Sequence, residues 1–217
     1  MRPCIASLKD VVDSLNLPES PLYEFAREYA LMDVRNRKYL LIDMAEGVAY
    51  LHRHRLVHRA IHPSNFLFDT RTESCVPGQP PFKLVITDFA WCRDIPLGAS
   101  SVIPSTYATM PDDWLAPEVR MDHEAVLMSE ATMTVDETSE TDSSAAKLRR
   151  LRRPMDIFSL GCVFYYALSN LNPFGEGRRN DENVENGKFN LDGLPSVVQY
   201  EAFDLISRML AQTPADR

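Results

Sequence analysis

Residues 154–166, reading Pro-Met-Asp-Ile-Phe-Ser-Leu-Gly-Cys-Val-Phe-Tyr-Tyr, constrain the fold of this 217-residue chain more than any other stretch. A run that is apolar on nearly every side reads as a buried helix, and Pro154 suits its first turn, where the amide has no intrahelical acceptor. The neighbours it needs are legible in the periodicity. Residues 39–54 predict a helix with Leu40, Met44, Val48 and Leu51 close to one face, and residues 197–211 predict another carrying Phe203, Ile206, Met209 and Leu210. Residues 5–12 read as a short amphipathic helix with Ile5, Leu8, Val11 and Val12 on one side, and Pro18 and Pro21 break the next stretch of chain. Two apolar runs, 66–68 and 82–86, flank the turn-rich 77–81 and read as paired strands.

A 45% apolar content supplies one packed core at this length. The formal charge of -8 argues against a general nucleic-acid binder, which needs a net basic face. Cys4, Cys75, Cys92 and Cys162 are far apart and form no Cys-x-x-Cys pair, which predicts reduced thiols in a cytosolic compartment. The first residues carry no apolar signal core, and the longest mostly apolar run, 160–168, is too short to span a bilayer, so no membrane segment is expected. Residues 122–142 hold seven acids among many Ser and Thr, and a basic block follows at Lys147, Arg149, Arg150, Arg152 and Arg153. This reads as a mobile insertion at about 119–153, whose basic end by default pairs with the neighbouring acids.

Two further stretches carry chemistry. Residues 56–67 read Leu-Val-His-Arg-Ala-Ile-His-Pro-Ser-Asn-Phe-Leu, and residues 87–90 read Thr-Asp-Phe-Ala. Together they resemble the catalytic and metal-binding loops of a protein kinase, with Ala60 in place of the catalytic Asp and His62 in place of the usual Lys. The resemblance implies that Asn65 and Asp88 hold magnesium under ATP and that Leu67 lies beneath the nucleotide. It further implies that Asp156 accepts from the backbone of His58 and Arg59, and that Glu118 pairs with Arg217. Residues 88–118 resemble an activation segment closed by Trp-Leu-Ala-Pro-Glu, with Ser100, Ser101, Ser105, Thr106, Tyr107 and Thr109 as candidate acceptors. Met110, Pro111 and Asp113 depart from the family's pattern there. Ala90 replaces a Gly, at a cost of roughly 1 kcal/mol if the backbone needs glycine's freedom.

Within kinases, residues 4–12, 156–166 and 172–175 resemble the inositol-requiring endoplasmic-reticulum stress sensors of the unfolded protein response, which join a kinase to an endoribonuclease. The implied fold is a mainly α, protein-kinase-like C-terminal lobe with a small β ribbon and the N-terminal lobe absent, so that residues 1–217 form a partial kinase domain. A Gly-rich phosphate loop and strand Lys are expected in that missing lobe, since Gly175-Glu176-Gly177 only begins the pattern and Asn180 ends it.

Three functions fit this reading. The first is a catalytically impaired pseudokinase fragment of Ser/Thr type, because Ala60 cannot act as a base. The second is an active ATP-dependent Ser/Thr kinase whose N-terminal lobe lies upstream, and the third a helical interaction module with no nucleotide history. Magnesium and ATP are implied cofactors, bound weakly or not at all by this chain. The exposed nucleotide-facing surface is expected to be open to a protein partner, on the cytosolic side, at the endoplasmic reticulum membrane if the chain is part of a full-length family member.

Overall fold

A computed structural model describes residues 4–71, 77–99, 112–120 and 152–217. In order, the helices are α1 (Leu8–Asp13), α2 (Tyr23–Leu31), α3 (Val34–Arg53), α4 (Arg153–Ser169), α5 (Arg178–Glu185) and α6 (Gln199–Met209). The strands are β1 (Leu56–Val57), β2 (Phe66–Thr70), β3 (Phe82–Ile86) and β4 (Arg93–Asp94). The fold is predominantly helical. Among the described residues the sheets are two antiparallel pairs, β1 with β4 and β2 with β3, and no helix is long and apolar enough to cross a membrane.

Helix α4 is the axis of the fold. Thirteen of its seventeen residues are buried, which is what an all-round apolar sequence requires. It stops at Asn170, whose left-handed backbone turns the chain while its N–H donates to the Tyr166 carbonyl at 2.8 Å. Helix α3 packs beside it with Leu40, Met44, Val48 and Leu51 buried. Helix α6 approaches so closely that a Cβ on Gly161 would lie 2.8 Å from the Met209 Cβ, so only glycine allows this crossing without a shift.

Three boundaries differ from the sequence expectation. Helix α1 begins at Leu8 rather than Ile5, because Ser7 caps it: the Asp10 amide donates to the Ser7 hydroxyl, and the Asp10 carboxylate accepts from the Ser7 amide. Upstream of that cap the backbone joins the ribbon instead, with the Ile5 N–H donating to Phe68 and the Phe68 N–H to Ala6, both at 2.8 Å. Helix α3 starts five residues before position 39, at the Asp33 cap, and α6 starts at Gln199. Helices α2 and α5 were not anticipated. Helix α2 buries only Ala26 and Tyr29, and α5 only Asn180 and Val184, so neither presents an apolar stripe wide enough to read.

The anchor of α2 is polar as well as aromatic. Phe25, Phe68 and Phe82 meet edge to face with centroids 5.2–5.3 Å apart, fixing α2 to the ribbon. Arg37, 8% exposed, donates to the carbonyls of Ala167 and Leu168 at the end of α4 and of Tyr29 and Ala30 at the end of α2. A cation there satisfies carbonyls that helix ends leave open and sits at the negative end of two helix dipoles. Its guanidinium also lies 4.6 Å from the Tyr29 ring centroid, and the Tyr29 hydroxyl donates to Ala167 at 2.6 Å. Burial pushes that phenol up to about 12, so it remains a donor.

Candidate functional site

The register of the ribbon assembles the site. Phe66 pairs with Ile86, which sets Asn65 opposite Thr87, and the Thr87 N–H donates to the Asn65 carbonyl at 2.9 Å. Asp88 follows immediately, in a left-handed conformation (φ 62°) that is uncommon for a residue with a side chain. Its carboxylate is exposed and accepts a long 3.4 Å bond from the Ala90 amide. Ala90 itself lies in a single 3-10 turn, Phe89–Trp91, and is not among the positive-φ residues. The strain expected at Ala90 is therefore absent, because the unusual backbone falls two residues earlier.

The loop carrying Ala60 is suspended from α4. Asp156, 1% exposed, accepts from the amides of His58 at 2.8 Å and Arg59 at 2.9 Å, and its carboxylate lies 2.9 Å from His52 Nε2. Arg59 also has a left-handed backbone (φ 71°), so two of these bonds hold a conformation that costs energy locally. Its guanidinium donates to the Trp91 carbonyl at 3.3 Å. His58 is fully buried; its Nε2 donates to the Thr87 carbonyl at 3.0 Å and its Nδ1 accepts from the Ala60 amide at 3.3 Å. Only the neutral imidazole can do both.

Ala60 is 2% exposed and carries only a methyl group, which can neither accept nor donate a proton. Asn65 donates through Nδ2 to the Ala60 carbonyl at 2.9 Å. Asn65 and Asp88, the two residues expected from the sequence to hold magnesium, stand at adjacent ends of β2 and β3. Leu67 is half-buried on β2, opposite Val85. His62 is half-buried, and burial outweighs the attraction of Asp88 and holds its pKa below the usual histidine value.

Burial likewise depresses the His58 pKa, against the pull of Asp156 and the Thr87 carbonyl. A histidine whose folded pKa lies below 6.5 contributes stability that is complete above that value and is lost as pH falls through the folded pKa. His62, lowered by burial in the same way, adds a slope of the same sign, so the urea midpoint should fall between pH 7.5 and pH 5.5 and His58→Gln should flatten part of that slope. Asp43 and Asp113, raised chiefly by burial, act in the opposite sense at more acidic pH. A midpoint that does not change across this range would show that burial holds neither histidine neutral.

On the far side of the loop, Arg217 and Glu118 form a two-pronged pair at 2.7 and 3.0 Å, with the Arg217 side chain wholly enclosed. Its guanidinium also donates to Ala211, Gln212 and Pro154 carbonyls and lies over the Phe158 ring. A network not foreseen in the sequence ties the same segment to α5. Arg120 donates to Leu115, Asn180 and Asp181, while fully buried Asn180 donates to Asp113, Asn172 and Gly175. The candidate acceptors at 100–109, the departures at Met110 and Pro111, Cys75, and the insertion apart from its first and last residues lie outside the described residues.

A strand-paired loop ending in Asn65, a second loop beginning at Asp88, and a buried central helix whose Asp156 holds the first loop define the C-terminal lobe of a protein kinase fold. Residues 14–134 match the family model of the protein kinase domain. The chain belongs to that family. It is 33% identical, over 99% of its length, to the serine/threonine-protein kinase/endoribonuclease IRE1 of Hypocrea jecorina, and 34% identical over 82% to ireA of Aspergillus fumigatus. It is also 25% identical, over 81%, to an inactive serine/threonine-protein kinase/endoribonuclease IRE1-like protein of Arabidopsis thaliana. The chain spans 17%, 16% and 26% of these curated relatives, respectively.

Proposed function

We propose that this chain is the C-terminal lobe of a Ser/Thr kinase-like domain of the unfolded-protein-response stress-sensor type, a pseudokinase that transfers no phosphate. The observation that carries this reading is Ala60: the loop is held as a catalytic loop is held, yet a buried methyl group stands where a base would take the acceptor proton. His62 cannot replace the missing Lys charge, because burial keeps its imidazole neutral near pH 7. Asn65 and Asp88 would hold magnesium, which when bound neutralises phosphate charge.

Residues 1–217 are read as a partial kinase domain with an insertion at about 119–153, lying on the cytosolic side and, in a full-length relative, at the endoplasmic reticulum membrane. A protein partner on the nucleotide-facing surface is part of this reading. The second reading, an active kinase completed by a lobe upstream, is favoured by Asn65 and Asp88 and by the complete Ala116-Pro117-Glu118, whose Glu118 is paired with Arg217.

With Leu67 as a floor, nucleotide binding by this chain is expected to be weaker than 1 mM. Linkage then yields less than about 0.4 kcal/mol of stabilisation at that concentration, under about 2 °C in melting temperature. A larger rise with magnesium-ATP, abolished by Asp88→Ala, would revive the enzyme reading.

A further inference from the structure

The Ala60 side chain is covered by the chain itself. Ala60 and Leu115, 2% and 6% exposed, form a small apolar cluster against which Trp91, Trp114 and Val119 pack, and Trp114 and Val119 link it to the main core. The elements that meet here are far apart in sequence: the catalytic loop, the turn after Asp88, and the 112–120 segment. Further bonds hold these elements in place. The Trp91 carbonyl accepts from Arg59, the Trp114 carbonyl accepts from the Ser159 hydroxyl at 2.7 Å, and the Trp114 ring meets Tyr166 edge to face at 5.5 Å. Glu118, three residues beyond Leu115, is fixed by Arg217.

We propose that Ala60 is the floor of an apolar latch, closed by Leu115 with Trp91, Trp114 and Val119 around it, that shuts the acceptor position over the catalytic loop. The proposal rests on reading residues 56–67 as a kinase-derived loop, and it goes further: an acceptor hydroxyl is excluded as well as unassisted. An Asp at position 60 would place a carboxylate among apolar side chains and would pry the latch open rather than rebuild a catalytic site. The loop and the 112–120 segment consequently open together.

The test reads opening directly and needs no phosphate transfer, so its failure is distinct from failure of the pseudokinase reading. In the full chain, amide exchange is followed in peptides covering 56–62 and 112–120, together with N-ethylmaleimide labelling of Cys92, the half-buried thiol beside Trp91. Leu115→Ala and Ala60→Asp should each raise exchange in both segments, and labelling of Cys92, by roughly tenfold or more, since truncating or charging a packed apolar contact favours its open state by at least that factor. The double variant should be no faster than the faster single one, because both break the same contact. Trp91→Phe, which keeps an aromatic wall, should stay within about twofold of the wild type. If Ala60→Asp fails to fold by circular dichroism, Leu115→Ala and Trp91→Ala form the pair. Effects confined to the substituted segment, or single effects that multiply in the double variant, would overturn the latch.

Discussion

Asp156→Ala is expected to lower the free energy of unfolding by about 3–5 kcal/mol, the largest loss from a single polar substitution in this chain. The carboxylate is 1% exposed and takes the amides of His58 and Arg59 together with the His52 ring. A methyl group in its place strands two buried N–H donors, each costing roughly 1–3 kcal/mol, and removes the bonds that hold Arg59 in its left-handed backbone. Asp156→Asn should lose nearly as much, because an amide presents an NH2 group to a set of donors. Urea unfolding followed by circular dichroism measures both variants. A loss below about 1 kcal/mol would show that water or a shifted loop satisfies those amides.

Glu118→Gln should cost about 3 kcal/mol, the low end for breaking an enclosed ion pair, since the Glu118 side chain retains 31% exposure while Arg217 retains none. For a chain of this size that is a fall of roughly 6–12 °C in melting temperature. Three carbonyls still accept from the guanidinium, which is why the loss is not expected to be larger. The same substitution should speed amide exchange across 112–120, which the pair ties to the start of α4 through Pro154. An unchanged melting temperature would mean that the pair contributes nothing.

What the sequence revealed depended on the strength of each local signal. Helix α4 was legible because burial on all sides leaves no polar face to confuse the period, and the ribbon because its apolar runs flank prolines. Ile5 misled because its apolar side chain suits helix and strand alike, and only the Ser7-x-x-Asp10 cap decides between them. Arg37 was also open to inspection: it falls in line with Leu40, Met44, Val48 and Leu51 as a lone cation on a buried face. The carbonyl cage that explains it comes from α2 and α4, which no local pattern could bring together.

The candidate site divided in the same way. Asn65, Asp88 and the absent base were readable as residue types at a spacing. The burial of Ala60 was not, because Leu115 reaches it from a segment 55 positions away and becomes its neighbour only once Trp114 is seated on α4. Ala90 shows the reverse limit: a residue type that departs from a family pattern predicts strain only where the backbone demands glycine, and here the demand falls on Asp88.

The central claim, that this kinase lobe keeps its scaffold without transferring phosphate, is tested most directly by single-turnover transfer from γ-labelled magnesium-ATP. The longest natural form containing residues 1–217 is used, with itself and a generic Ser/Thr protein as acceptors. Transfer no greater than that of an Asp88→Asn control is the predicted result, since losing a general base alone costs roughly a hundredfold or more. Robust labelling that disappears in Asp88→Asn would contradict the account.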